Sequence, residues 1–320
     1  MAQEEKSYFP IDLVYTWVDG SDETWKDKRN KTIGGGETDS AKNCEGRYKD
    51  NDELKFSLRS VEKYAPWIRK IHIITDSQIP SWLDISNPRI QIVDHKEIMS
   101  TEYLPTFNSV VIEHALHKVP DLAEHFLYAN DDTFFNQPVG PSNFFNQEGW
   151  PIVRMIRRPF RRRILSLKRL LLKGKKSYYN DTLVNASNLV NAKYGKWYGC
   201  KPHHNIDAYR RSLYQKTIET FDKEIKPTLK NRQRGDDDIQ RVIYSYLMMA
   251  EGKCSVEYVG RKTSFRLRNH KRNYYGKMEK LQPMLFCLND SQYATDEDRR
   301  IAREFLENLF PIPSSFESGR

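Results

Sequence analysis

The chain is poor in cysteine: four in 320 residues, scattered as Cys44, Cys200, Cys254 and Cys287. They form no metal-type spacing and no dense disulfide framework, so a reducing cytoplasm is the expected home. No apolar run approaches the ~20 residues that cross a bilayer. The start, Met1-Ala2-Gln3-Glu4-Glu5-Lys6-Ser7, lacks a basic region followed by an apolar core, and no secretory signal is read there. Internal repeats and low-complexity tracts are absent, which excludes a repeat array. One stretch lacks charge of one sign. Residues 154–176 hold eleven Lys and Arg (Arg154, Arg157, Arg158, Arg161, Arg162, Arg163, Lys168, Arg169, Lys173, Lys175, Lys176) and no Asp or Glu. Removing those eleven cations from the net charge of +9 leaves the rest of the chain at −2. One concentrated basic segment argues for a local anionic partner and against nucleic acid along the whole body.

What is present is aromatic. Eighteen Tyr, fifteen Phe and six Trp point to a packed fold of a size that buries a substantial core. The organising stretch is Phe126–Asn136, Phe-Leu-Tyr-Ala-Asn-Asp-Asp-Thr-Phe-Phe-Asn. Strand formers end abruptly in Asn130-Asp131-Asp132. A carboxylate buried without a partner costs several kcal/mol or shifts its pKa. At a strand's carboxyl end it opens into the crevice where α/β sheets bind ligands, and a hard divalent cation on a diphosphate is a natural partner. A turn is the bland alternative.

The order of elements reads as α/β with a largely parallel sheet. Ile11–Val18 is a strand ending at Asp19-Gly20, and 21–31 a charged helix. Residues 32–46, with Gly34-Gly35-Gly36 and no phosphate-loop lysine pattern, read as a flexible loop. Asp50–Tyr64 is a helix capped by Asp50 with Glu53 three residues on. Ile71–Thr75 and Arg89–Val93 are strands, and Asn108–Val119 an amphipathic helix. If 160–173 is helical, Phe160, Ile164, Leu167, Leu170 and Leu171 share a face, with Arg162, Arg169 and Lys173 opposite. That pattern suits a membrane interface with anionic headgroups, or an ordinary helix with a solvated face. Asn180–Ala192 reads as a loop. Helices are expected at about 208–220, 235–250 and 296–309, and strands at 254–259 and 263–267 of a smaller sheet.

Three groups of residues could carry chemistry. Asp19, Asn130, Asp131 and Asp132 are expected at one sheet edge, for metal, diphosphate or ribose, against strand-end capping. His203-His204 could supply one general base, a metal ligand or only a helix start. Arg232 and Arg234, then Arg266, Arg268, His270, Lys271 and Arg272, suit phosphate, against a solvated basic face.

Several segments together resemble the Stealth family of sugar-1-phosphate transferases. Ile11–Gly20 is similar to the first conserved region. Arg47–Leu54, Ser57–Ser60, Tyr64–Trp67, Gln78–Leu83, Leu104–Phe107 and Asn130–Asp132 are similar to the second. Pro202–Asp207 through Asp237–Gln240 resembles the third, and Cys287–Asp290 with Phe310–Ser314 the fourth. The resemblance implies a single catalytic domain over 1–320, 154–176 being a basic amphipathic insertion. It implies a fold similar to the nucleotide-sugar-binding fold of type A glycosyltransferases. It further implies transfer of a hexose-1-phosphate, N-acetylhexosamine-1-phosphate above others, from a UDP-sugar to a hydroxyl of a capsular or exopolysaccharide chain, with UMP leaving. Mg²⁺ or Mn²⁺ would sit on Asp131 and Asp132. His203 or His204 would be the base, acting with Asp132, Arg234 and Asp238. Asp19, Arg59, Asn108, Asn130, Asp237 and Arg266 would bind substrate. A polysaccharide or oligosaccharide acceptor, an anionic surface at the inner face of a bacterial plasma membrane, and other capsule-synthesis enzymes are the expected partners. The rival activities are a metal-dependent glycosyltransferase attacking the anomeric carbon and a non-catalytic membrane-docking scaffold.

Overall fold

A computed structural model describes residues 9–34, 46, 48–159, 161, 164 and 178–319. Five strands form the central sheet, in the order β3-β2-β1-β4-β8. They are β1 (Ile11–Thr16), β2 (Ile71–Thr75), β3 (Ile90–Asp94), β4 (His125–Asn130) and β8 (Asp207–Arg210). The first four run parallel and β8 antiparallel, so the fold is α/β with a mainly parallel sheet as expected. β1 reads as a near-continuous apolar run because both of its faces are covered. Val14, Phe126 and Tyr128 enter one core; Leu13, Tyr15, Leu127 and Ala129 enter the other. Period-two alternation therefore sorts side chains between two cores rather than between core and water.

Three strands make a second sheet, β10 (Ser264–Arg268), β11 (Leu285–Asn289) and β5 (Thr133–Phe135). Its apolar face packs on Phe56 and on the terminal helix Asp296–Leu309, with Phe134, Phe286 and Phe310 stacked. A third sheet orders β7 (Lys201–Pro202), β6 (Ile152–Ile156) and β9 (Ser255–Tyr258). The expected strands near 254–259 and 263–267 thus exist but belong to different sheets.

The helices show where local signals were overridden. α1 spans Glu23–Ile33 and α2 Glu53–Tyr64. The α2 stripe of Leu54, Leu58 and Val61 is buried against the central sheet as expected. Its start moves to Glu53, because Asp50 caps the Asp52 amide (3.0 Å) and Glu53 takes the amide and side chain of Asn51 (2.7 and 2.8 Å). After the short α3 (His95–Ile98), the helix expected over 108–119 is a five-residue α4 (Ser109–Glu113) and a 3₁₀ turn (Leu116–Lys118). α5 (Tyr178–Tyr194) replaces the loop expected at 180–192. Its Asn-rich sequence has poor propensity, yet Leu183, Ala186 and Val190 form a buried stripe, and packing decides. Residues 207–210 pair with the free edge of β4 as β8, so the helix expected from 208 begins later, as α6 (Arg211–Thr220), followed by α7 (Asp222–Leu229). α8 starts at Val242 rather than 235, because the Asp238 side chain captures the Gly235 amide at 3.0 Å and holds a turn. α9 (Asn273–Leu281) precedes β11, and α10 (Asp296–Leu309) has the expected bounds, opened by a Thr295–Asp298 capping box.

Two expectations meet limits. Most of the basic stretch, including the proposed amphipathic helix at 160–173, lies outside the described residues, as does most of the 32–46 loop. Arg154 belongs instead to β6, buried, with Glu257 accepting from its Nε at 2.8 Å. Among the described residues no helix is long and apolar enough to cross a membrane.

Arg59, expected to bind substrate, is engaged with the tail. Its Nε and Nη2 donate to both oxygens of Glu317 (2.8 and 2.7 Å), and Nη1 donates to the Phe310 carbonyl (2.8 Å). This bidentate, largely buried pair ties the tail to α2. Replacing Arg59 by Ala leaves Glu317 buried without its fork. A loss on the order of 3 kcal/mol is expected in urea unfolding at pH 7. An unchanged midpoint would show that the tail is held by other contacts.

Candidate active site

β1 and β4 end together, Thr16 paired in register with Asn130. The chain then leaves the central sheet and enters β5 of the second, so Asp131 and Asp132 form the corner between two sheets. Several bonds fix that corner. Thr133 Oγ1 donates to the Asn130 carbonyl (2.6 Å), Leu288 N to the Asp132 carbonyl (2.8 Å), and Ser57 Oγ to the Thr133 carbonyl (2.6 Å). Ser57 in turn bonds Tyr15 on β1 at 2.7 Å.

The corner is crowded with acid. Burial raises Asp131 well above the ordinary carboxylate range, reinforced by Asp132, Glu53 and Asp50. Burial also pushes Asp50 to about 6, with Asp52 and Asp19 adding, and Glu53 to about 8, against the Asn51 hydrogen bonds. Asp19 reaches this group because Gly20 lies flat on Tyr48: a Cβ there would meet the Tyr48 carbonyl oxygen at 2.4 Å. Asp19, Asn130, Asp131 and Asp132 are the residues expected at one edge; Asp50 and Glu53, which the sequence presents only as a helix cap, join the acids there.

The donor set consists of carboxylate oxygens, which fits a hard divalent cation. Among the described residues no group of three or more His, Cys, Asp or Glu is arranged to hold a metal by itself. An ion here would need substrate oxygens to complete its shell, a common arrangement for Mg²⁺ on phosphates.

The histidine pair lies in the turn between β7 and β8. His203 is buried, and its Nε2 bonds Asp207 Oδ1 at 3.0 Å. His204 is half-buried and sits at φ 53°, a left-handed conformation that is uncommon for a non-glycine residue. Asp207 lies opposite Tyr128 in the β4–β8 ladder. Its other oxygen takes a bond from Arg241 Nη1 at 2.8 Å. Burial pushes the Asp207 carboxyl up, but Arg241 and His203 outweigh it and hold it at about 2.

Arg241 is itself buried and bridges further. Its Nε lies 3.3 Å from Glu113 Oε2, Nη1 bonds the Tyr209 hydroxyl, and the guanidinium stands 4.5 Å over the Tyr128 ring. The Tyr128 hydroxyl meets Asn130 Oδ1 (3.0 Å), Thr16 Oγ1 (3.0 Å) and Glu113 Oε1 (3.4 Å). A continuous polar network thus runs from Asn130 to His203. Glu113, Tyr128, Asp207 and Arg241 were not among the expected site residues. The only signal was Asp207 standing four residues after His203.

Arg234 and Asp238 sit behind this network. Arg234 Nη2 donates to Ser109 Oγ (2.8 Å), and its charge partly offsets the burial that raises Glu113. Asp238 accepts from Asn108 (3.0 Å), Asn231 (2.7 Å) and the Gly235 amide, an organising knot around a buried carboxyl. Asn108 also caps α4 through the Val110 amide at 3.1 Å. Asp237 is exposed on the same turn, 3.4 Å from Asn231 Nδ2. Arg232 is used by the loop before α4, donating to the Pro105 and Glu102 carbonyls. Arg266 is exposed on β10, opposite Cys287, which pairs on its other side with Thr133. Two strand spacings, about 10 Å, separate Arg266 from the acidic corner.

Sequence comparison gives this corner its relatives. Models of Stealth protein conserved regions 1, 2 and 4 match residues 9–37, 47–153 and 279–320. The capsular polysaccharide phosphotransferase fcs1 of Haemophilus influenzae is 35% identical over 88% of this chain and 78% of its own length. The capsular polysaccharide phosphotransferase LcbA of Aeromonas hydrophila is 32% identical over 94% of this chain and 84% of its own. Among solved structures, the galactosyltransferase LgtC with donor and acceptor sugar analogues is 11% identical, with a TM-score of 0.45 over 95% of this chain and 96% of that one. At that score the likeness is remote and no argument is taken from it. The sequence relatives place the chain among transferases. It belongs to the Stealth family. The segment expected to carry the third conserved region, 202–240, lies between the matched stretches.

The acidic corner has a pH signature. Glu53 has a folded pKa raised above its unfolded value, so its contribution is fully present below about 4.5 and is lost as pH rises through about 8. In chelator, wild type measured against Glu53→Gln should lose stability between pH 5 and 8.5 in urea unfolding. A difference independent of pH would remove Glu53 from the cluster.

Proposed function

We propose that the protein transfers a hexose-1-phosphate from a UDP-sugar to a hydroxyl of a growing capsular or exopolysaccharide chain. The observation that carries this reading is the joining of the acidic β4–β5 corner to the histidine turn by one buried network. Family membership supports phosphotransfer in polysaccharide synthesis, and the network supplies the two halves such a step requires.

The acceptor oxygen attacks the β-phosphorus. The bond from that phosphorus to the bridging oxygen breaks, UMP leaves with the bridging oxygen, and a phosphodiester forms. Alignment, charge neutralisation and a base are the requirements. Asp131 and Asp132 would hold Mg²⁺ or Mn²⁺, with Asp19 and Asn130 shaping the donor side. When bound, the ion would neutralise diphosphate charge. Arg234 and Arg266 are the cations we assign to phosphate oxygens, and Asp238 with Asn108 and Asp237 organises the turn that carries Arg234. Arg59 is left out, because its fork is filled by Glu317.

His204 is the residue we assign as base. It is half-buried, whereas the His203 ring is fully enclosed and bonded to Asp207. A strained left-handed residue at a functional turn agrees with that role. His204→Ala should lower turnover by about 10² to 10⁴-fold with the fold intact. Full activity in that variant would place the base elsewhere.

The glycosyltransferase alternative differs in product. With a panel of UDP-hexoses and capsule oligosaccharide, UMP release supports phosphotransfer and UDP release supports attack on the anomeric carbon. EDTA should abolish turnover, and Mg²⁺ or Mn²⁺ should restore it; full activity in chelator would remove the metal. A scaffold without chemistry would show no turnover with any donor. The basic segment, from Arg157 onward, is our proposed contact with an anionic membrane at the inner face of a bacterial plasma membrane. Charge removal between 161 and 169 should weaken vesicle binding, and unchanged binding would sink that contact.

A further inference from the structure

We infer that Arg241 is a positioning residue for the transfer step, acting through Asp207 and His203 on the turn that presents His204. The inference rests on the reading above, in which His204 receives the acceptor proton.

Arg241 is a buried cation flanked by two carboxylates in unlike states. Asp207 is held as an anion, while burial raises Glu113 despite Arg241 and Arg234. Arg241 Nη1 bonds both Asp207 (2.8 Å) and the Tyr209 hydroxyl, with Nε 3.3 Å from Glu113. Asp207 then has one oxygen on Arg241 and one on His203 Nε2. Both carboxylate oxygens are thereby taken, and the His203 ring is held at Nε2, while its buried Nδ1 makes no hydrogen bond among the described residues. Arg154 on β6 and Tyr179 on α5 also act on Asp207 electrostatically, from outside this chain of bonds.

A doubly anchored His203 leaves its neighbour little freedom. Ser264 Oγ on β10 bonds both the His203 carbonyl (3.4 Å) and Asn205 Nδ2 (3.2 Å), so the turn is held on both sides of His204. The same guanidinium stacks on Tyr128, whose hydroxyl reaches Asn130. One cation thereby sets the histidine turn against the end of β4.

The test uses the full chain labelled with ¹⁵N-histidine, together with steady-state nucleotide release from whichever UDP-hexose it turns over. Wild-type His203 should show one ordered ring with Nε2 in a hydrogen bond to a carboxylate. In Arg241→Met its ring ¹⁵N signals should shift and broaden. The kcat should fall roughly 10- to 100-fold, the usual size when a group orienting a histidine is lost, with donor KM within about 3-fold. Arg241→Lys should recover part of kcat. Because Arg241→Met strands two carboxyls and could fail to fold, Asp207→Asn is the second variant, with the same loss of kcat at unchanged donor KM expected. A folded Arg241→Met with wild-type His203 ring signals, or either variant with wild-type kcat, overturns the inference. The ring signal is read without substrate. It therefore still decides the placement if the released nucleotide is UDP and the phosphotransfer reading fails.

Discussion

The structure depends on gathering half-buried carboxylates at the carboxyl edge of a parallel sheet. Asp131 sits where β4 leaves one sheet for another, and its neighbours Asp132, Glu53 and Asp50 are acids too. Such a concentration of like charge works against stability. The surroundings are built to hold it nonetheless. Ser57 links α2 to both β1 and β5, and β11 pins the Asp132 carbonyl from the far side. Arg303 supplies one counter-charge to this group, 2.6 Å from Asp52.

His203 stands 71 positions after Asp132 in the sequence, yet one run of side chains spans the gap. β8 pairs backwards onto β4, and this places Asp207 opposite Tyr128. Arg241 enters from the start of α8 and closes the circuit with Glu113 from α4. Three helix or strand ends are thus locked by one guanidinium, whose planar fork can serve several acceptors at once. Where the acidic corner is electrostatically strained, this half is nearly balanced, with Asp207 well stabilised as an anion. The difference agrees with the proposed division of labour, in which one side would take a cation-bound diphosphate and the other a proton.

Much of this was legible in the sequence. β2 and α10 have the bounds that pattern alone assigns, and the α2 stripe of Leu54, Leu58 and Val61 packs as its spacing requires. The strand ending at Asn130-Asp131-Asp132 was readable because strand formers stop abruptly at three polar residues. What was not legible depends on partners distant in sequence. Asn180–Ala192 looks like loop until α8 is present to cover Leu183, Ala186 and Val190. Asp207–Arg210 is too short to declare itself a strand without the edge of β4. Arg241 stands in a helical pattern like any surface arginine, and only the fold buries it between Asp207 and Glu113. Arg59 is the converse case: a basic residue in a family-like segment whose fork is occupied by Glu317 from the tail.

The central claim is that the phosphorus nearest the sugar travels with it. The most direct measurement is the fate of a UDP-hexose labelled on the β-phosphorus, incubated with the full chain, divalent cation and capsule oligosaccharide. The account predicts label in the oligosaccharide as a phosphodiester, with unlabelled UMP released. Label retained in UDP, beside an elongated but unlabelled oligosaccharide, would contradict it.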